Sequence, residues 1–179
     1  ALLRAPSLVN TGSVTVASAI SGDNMQRAAT FFGSSIGKKV VMAATGLVLY
    51  GFVIGHMVGN LQIYLGPKAI NDYAEFLQHF LHGQGIWLAR GSLLVAVGLH
   101  IWAAVTLTLS NWSARPVGYR DWEARESTYA SRTMVWSGPM LAAFIFYHLA
   151  HFTIGSAHPE FVKGEVYRNV VVGFQNPFA

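Results

Sequence analysis

Apolar residues run along this chain in three long blocks without a formal charge, at 40–67, 91–114 and 133–159. Each block exceeds the ~20 residues a helix needs to cross the hydrocarbon core of a bilayer. Such lengths do not suit the core helices of a soluble domain. The pattern therefore predicts an all-α, polytopic transmembrane helix bundle, with spans near 39–61, 86–109 and 133–154. Between the first two spans, Gly66 and Pro67 break the pattern and open a loop at 62–85. Inside it, Ile70, Tyr73, Phe76, Leu77 and Phe80 recur at three-to-four spacing. That spacing predicts a short amphipathic helix over 69–82, lying along the interface. Trp87 and Trp112 sit near the two ends of the second span as amphipathic anchors.

Outside the blocks the chain is polar. Residues 1–33, rich in Ser, Thr, Ala and Gly, predict an irregular extension that ends in a short interfacial helix around 25–32. Residues 34–179 then form the membrane domain. Its tail from 155 returns to mixed polarity, and Asn176, Pro177, Phe178 and Ala179 read like the entrance to another helix.

Composition and charge narrow the function. Of 179 residues, 53% are hydrophobic and 11% charged, against ~25% charged in ordinary soluble domains. The net charge of +4 could suggest nucleic acid, but it follows membrane topology instead. Arg4, Arg27, Lys38, Lys39, Arg115, Arg120, Arg125 and Arg132 belong to the N-terminal segment and the loop between the second and third spans. Lys68, Arg90, Lys163 and Arg168 belong to the other side. The positive-inside bias places the N-terminus and that loop in the cytoplasm. The chain has no cysteine, which excludes cysteine-ligated iron–sulfur clusters, thioether-attached haem, thiolate zinc and disulfides. It also has no P-loop and no GxGxxG turn. A redox cofactor here must be held by histidine or non-covalently.

Seven histidines are present. His79, His82 and His158 fall in loop or interfacial segments and read as solvated polar residues. His56, His100, His148 and His151 lie inside spans, where ionisable groups are costly and usually functional. At 1.5 Å per residue, His56 stands ~25 Å past Lys39 and His148 ~22 Å past Thr133 on helices that both travel outward. His100 stands ~21 Å below the start of a helix that travels inward. His56 and His148 thus share the outer half of the membrane, and His100 occupies the inner half. Two imidazoles at like depth suit the two faces of one haem b iron. His100 would serve a second haem, with no visible partner. Depth does not separate His148 from His151, one turn further out. Gly46, Gly51, Gly55, Gly59, Gly91 and Gly98 suit either a flat macrocycle or close helix packing.

These residues resemble a known family. SIGKK at 35–39, GHMVGN at 55–60, Gly66 and Pro67 leading to YAEF at 73–76, GLH at 98–100, Ser131 with Arg132, YHLAHFTIG at 147–155 and GFQNPF at 173–178 carry the likeness. Together they resemble the cytochrome b subunit of succinate dehydrogenase/fumarate reductase, of the single-chain kind with five helices and two haems. The resemblance implies that His56 and His148 ligate the haem farther from the soluble subunits, with His151 the alternative to His148. It makes His100 a ligand of the nearer haem. It implies a fourth and a fifth helix beyond Ala179, from a longer sequence or from another chain.

It further implies a flavoprotein and an iron–sulfur partner on the cytoplasmic face of a bacterial inner membrane. Electrons would pass to or from a membrane quinone, menaquinone or ubiquinone. Lys38, Lys39 and the loop from Arg115 to Arg132 are candidates for the docking face, and Arg90 and Arg132 for the haem propionates. Asp72, Tyr73 and Glu75 are candidates for proton transfer to quinone. Two other readings of the same histidines stay open: a haem-free quinone anchor, and a fragment of a proton-coupled transporter.

Overall fold

In the computed structural model, Ser34 opens the first long helix rather than Lys39. The model describes residues 26–27, 29–115, 117, 127–158 and 160–175. Ser34 has extended backbone, and its hydroxyl accepts from the Gly37 N–H at 3.0 Å, which satisfies one of the donors a helix start leaves open. α1 (Ser35–Asn60) follows, so Lys38 and Lys39 lie in its first turn and just beyond. A 3-10 segment, Leu61–Leu65, prolongs it. Gly66 then takes φ 101°, a region open to glycine. Pro67 behind it supplies the first residue of α2 (Pro67–His79), where its missing N–H costs nothing.

α2 is the amphipathic helix that the apolar spacing predicts, shifted two residues towards the N-terminus. A turn with Leu81, His82 and Gly83 at positive φ leads into α3 (Gln84–Ser113). α4 (Tyr129–Leu149) is capped by Thr128, whose side chain accepts from the Ser131 N–H at 3.2 Å. Pro139 inside it removes one backbone hydrogen bond. A π-helical turn, Ala150–Ile154, closes α4 and ends at Gly155 with φ 82°.

The segments Ser35–Leu65, Gln84–Ser113 and Tyr129–Ile154 have 31, 30 and 26 residues and are long and apolar enough to cross a membrane. At 1.5 Å per residue even the shortest runs ~39 Å, beyond a ~30 Å hydrocarbon core. The chain is all-helical, with no strand among the described residues. The expected extension over residues 1–25, Arg120, Arg125 and the closing residues 176–179 lie outside the described residues. Residues 29–33 of the expected interfacial helix are helical, with Phe31 and Phe32 exposed.

α1 packs chiefly against α3. Thr45 on α1 and Ala96, Ala103 and Leu107 on α3 are buried, and the small Thr45, Ala96 and Ala103 let two backbones come close. α2 lies across the C-terminal end of α1, with Ile70 buried and Tyr73 against Gly59. A methyl at Gly59 would meet Tyr73 Cε1 at 2.8 Å and its hydroxyl at 3.0 Å. Gly59→Ala therefore displaces Tyr73, at a cost of about 1–3 kcal/mol for overpacking. It should lower the unfolding temperature in detergent. Gly51→Ala, whose Cβ meets nothing within 4 Å, should leave it unchanged or raise it.

The tail of mixed polarity is partly helical. It contains α5 (Val166–Gln175), docked on α2 and on the π turn. Polar side chains hold it there. Asn71 Oδ1 accepts from the Tyr167 N–H at 3.0 Å and so caps α5 from another helix. Asn169 is buried and clamps Val162, accepting from its N–H at 3.0 Å and donating to its carbonyl at 2.7 Å.

Candidate functional site

His148 lies in the last turn of α4, and His151 lies in the π turn that follows. His148 faces α1, where its ring lies 5.8 Å from that of His56 between centroids, with the planes at 86°. This is the like-depth pair that the residue count anticipates. Two metal–nitrogen bonds of about 2 Å, plus roughly 1 Å from each nitrogen to its ring centre, put imidazoles sharing one iron on the order of 6 Å apart. The observed separation falls there. Phe52 stacks on His56 at 5.4 Å, and Phe144 and Phe152 flank His148 at 5.7 and 5.5 Å. The pair thus sits in an aromatic sleeve suited to an apolar, planar group. Asn60 Nδ2 donates to His56 Nε2 at 3.1 Å. That places the ring proton on Nδ1, and an iron bond at Nε2 must displace the amide.

His151 points elsewhere. Its side chain is 2% exposed, stacked on Phe152 at 4.4 Å and 3°, with Nδ1 2.9 Å from the Tyr147 hydroxyl. Its Nε2 is buried with no hydrogen-bond partner and faces Gly173, where a Cβ would stand 3.0 Å away. His158, expected to be solvated, is 6% exposed instead. Its Nε2 donates to the Asn169 carbonyl at 2.9 Å and its Nδ1 accepts from the Glu160 N–H at 3.1 Å. The reason is α5, which covers it. His79 and His82 are exposed, and His79 Nδ1 donates to the Glu75 carbonyl at 2.9 Å.

His100 lies between α1 and α3, its Nδ1 3.0 Å from Thr45 Oγ1 and its Cε1 3.3 Å from where a Cβ on Gly46 would be. The Thr45 level is ~16 Å from the His56 level along α1. The structure therefore has two histidine levels, as expected. Gly51, Gly55, Gly91 and Gly98 have nothing within 4 Å of a would-be Cβ, so packing among the described residues does not explain them. Among the described residues no three His, Cys, Asp or Glu cluster as a metal site; an axial haem pair needs only two.

The remaining candidates are scattered. Arg90 holds its guanidinium 5.0 Å from the Trp87 ring centre, ~15 Å from His100 along α3 and so near the outer pair's level. Arg132 donates to the Ser127 carbonyl at 3.0 Å at the opposite end, ~24 Å from His148 along α4. The two cannot serve one haem. Asp72 is ion-paired with Lys68, whose ammonium it holds above its usual range by the hydrogen bond and by its charge. Glu75 lines a groove of ~260 Å³ with Asn71, Asp72, Gln78, Gly164 and Glu165. Tyr73 instead turns towards Gly59.

Comparison with protein-family models, with curated proteins and with solved structures finds no match for this chain.

Proposed function

We propose that this chain is the membrane-anchor cytochrome b subunit of a succinate:quinone oxidoreductase or fumarate reductase. The observation that carries the reading is the His56–His148 pair, two imidazoles 5.8 Å apart on different spans. The motif resemblance and the absence of cysteine support it. In this reading His56 and His148 are the residues that would hold the iron of a b haem, and Phe52, Phe144 and Phe152 would keep water from it. A haem so ligated is six-coordinate and suited to electron transfer.

The dicarboxylate chemistry and the clusters belong to a flavoprotein and an iron–sulfur subunit on the cytoplasmic side of a bacterial inner membrane. Lys38 and Lys39 at the start of α1 and Arg115 after α3 would lie on that side. The quinone, menaquinone or ubiquinone, binds near the outer pair. Glu75 is a better proton carrier for it than Asp72, which Lys68 already engages.

A dithionite-reduced minus oxidised spectrum of the purified complex tests the assignment. A b-type α band is expected. A complex without any haem absorbance would reject this reading in favour of a haem-free quinone anchor. The Thr45–His100 bond is the observation on that side, because it also bridges two helices without a metal.

A further inference from the structure

We propose that Thr45 is the positioning residue that holds the His100 ring and leaves its Nε2 unprotonated, as a ligand to haem iron would need. The inference rests on the haem reading above, and the proton count at Thr45 carries it. A threonine hydroxyl has one proton and two acceptor lone pairs. Thr45 Oγ1 stands 2.7 Å from the Val41 carbonyl and 3.2 Å from the Met42 carbonyl. Both are acceptors only, so the proton is spent on the helix backbone. His100 Nδ1, 3.0 Å from the same oxygen, then meets a lone pair. It makes a hydrogen bond there only as a donor. A neutral imidazole carries one ring proton, so Nε2 keeps its electron pair.

Orientation is fixed together with the tautomer. Thr45 is 8% exposed, so its hydroxyl meets little competing water, and its β-branched side chain has few rotamers on a helix. Gly46 lets the ring edge lie against α1, since a Cβ there would come 3.3 Å from Cε1. Residues on α1 thus prepare a ligand on α3. Ligating histidines generally owe orientation and basicity to such a bond at the second ring nitrogen. No other histidine of the sequence reaches this level: His56 and His148 pair ~16 Å away along α1, and His79, His82, His151 and His158 lie at the outer end.

The experiment uses the purified complex with Thr45→Val, close in shape but without the hydroxyl, and with Thr45→Ser, which restores it. Redox titration followed at the α band and the low-spin haem EPR signals read each haem separately. The Nδ1–H bond raises the basicity of the ligand and favours ferric iron. Thr45→Val should therefore raise the midpoint potential and shift the EPR signal of one haem only, and Thr45→Ser should return both to wild type. Nitrogen NMR of histidine-labelled protein in lipid, with the imidazole neutral, should show the Nδ1–H tautomer at His100 in apoprotein.

Unchanged potentials and EPR signals in Thr45→Val, or an Nε2–H tautomer at His100, would overturn the role of Thr45 while leaving the haem reading intact. A wild-type complex with no haem would overturn both.

Discussion

If His56 and His148 hold a haem as proposed, His148→Ala should remove it and His151→Phe should leave it bound. Both residues lie on the last turns of one span, yet their surroundings differ in kind. His148 is half-buried and turned to His56. His151 is enclosed by Tyr147, Phe152, His158 and Gly173. An axial ligand lost from a two-histidine site has no substitute nearby. The expected result is the loss of one haem equivalent per flavin, read by pyridine haemochrome and reduced difference spectra, with His56→Ala behaving alike.

Phenylalanine at 151 keeps the stack on Phe152 and removes the unpartnered Nε2, whose burial costs about 1–3 kcal/mol. It also forfeits the Tyr147 contact, a net bond of about 0.5–1.5 kcal/mol. Stability should therefore hold or rise slightly, so a fall in haem would not come from misfolding. Haem lost from His151→Phe and kept in His148→Ala would reverse the assignment.

The spans were legible because absent charge is a one-dimensional signal. Their ends were less so. The charge-free blocks point to Lys39 and Thr133 as starts, whereas the helices begin at the caps Ser34 and Thr128 and carry basic residues within their first turns. The depth count found the two histidine levels, because rise per residue is constant along a helix. It could not tell His148 from His151, since that choice depends on rotation, and the π turn alters rotation at this point. Thr45 and Asn60 were missed altogether. A lone hydroxyl or amide on a helix carries no pattern, and each acts through a histidine that only folding or one helical turn brings to it. α5 was missed for a related reason. Asn71, His158 and Asn169 look like surface residues in sequence, yet Asn71 caps α5 and His158 and Asn169 close a buried polar network beside it.

Gly155→Val should release that network. Gly155 ends the π turn at φ 82°, where a residue with a Cβ costs roughly 1–2 kcal/mol. Space is also lacking: a Cβ would stand 2.4 Å from Phe161 Cγ and 2.8 Å from its Cβ. Phe161 must move, and overpacking of this kind costs about 1–3 kcal/mol more. The displaced segment carries His158, which packs on Phe161 at 6.1 Å, and Val162, which Asn169 clamps. α5 should then detach from the outer end while the spans stay folded.

Trypsin reads this directly in nanodiscs, because Arg168 lies within α5 and its guanidinium donates to the Glu160 carbonyl at 2.7 Å. A loss of 2 kcal/mol or more raises the open population, and with it cleavage at Arg168, on the order of 30-fold. Gly164→Val provides the contrast. Gly164 has φ 93° but nothing within 4 Å of a Cβ, so it bears the backbone cost alone and should accelerate cleavage by roughly 5- to 30-fold, less than Gly155→Val. Equal rates in the two variants would show that the contact with Phe161 does not hold α5 in place.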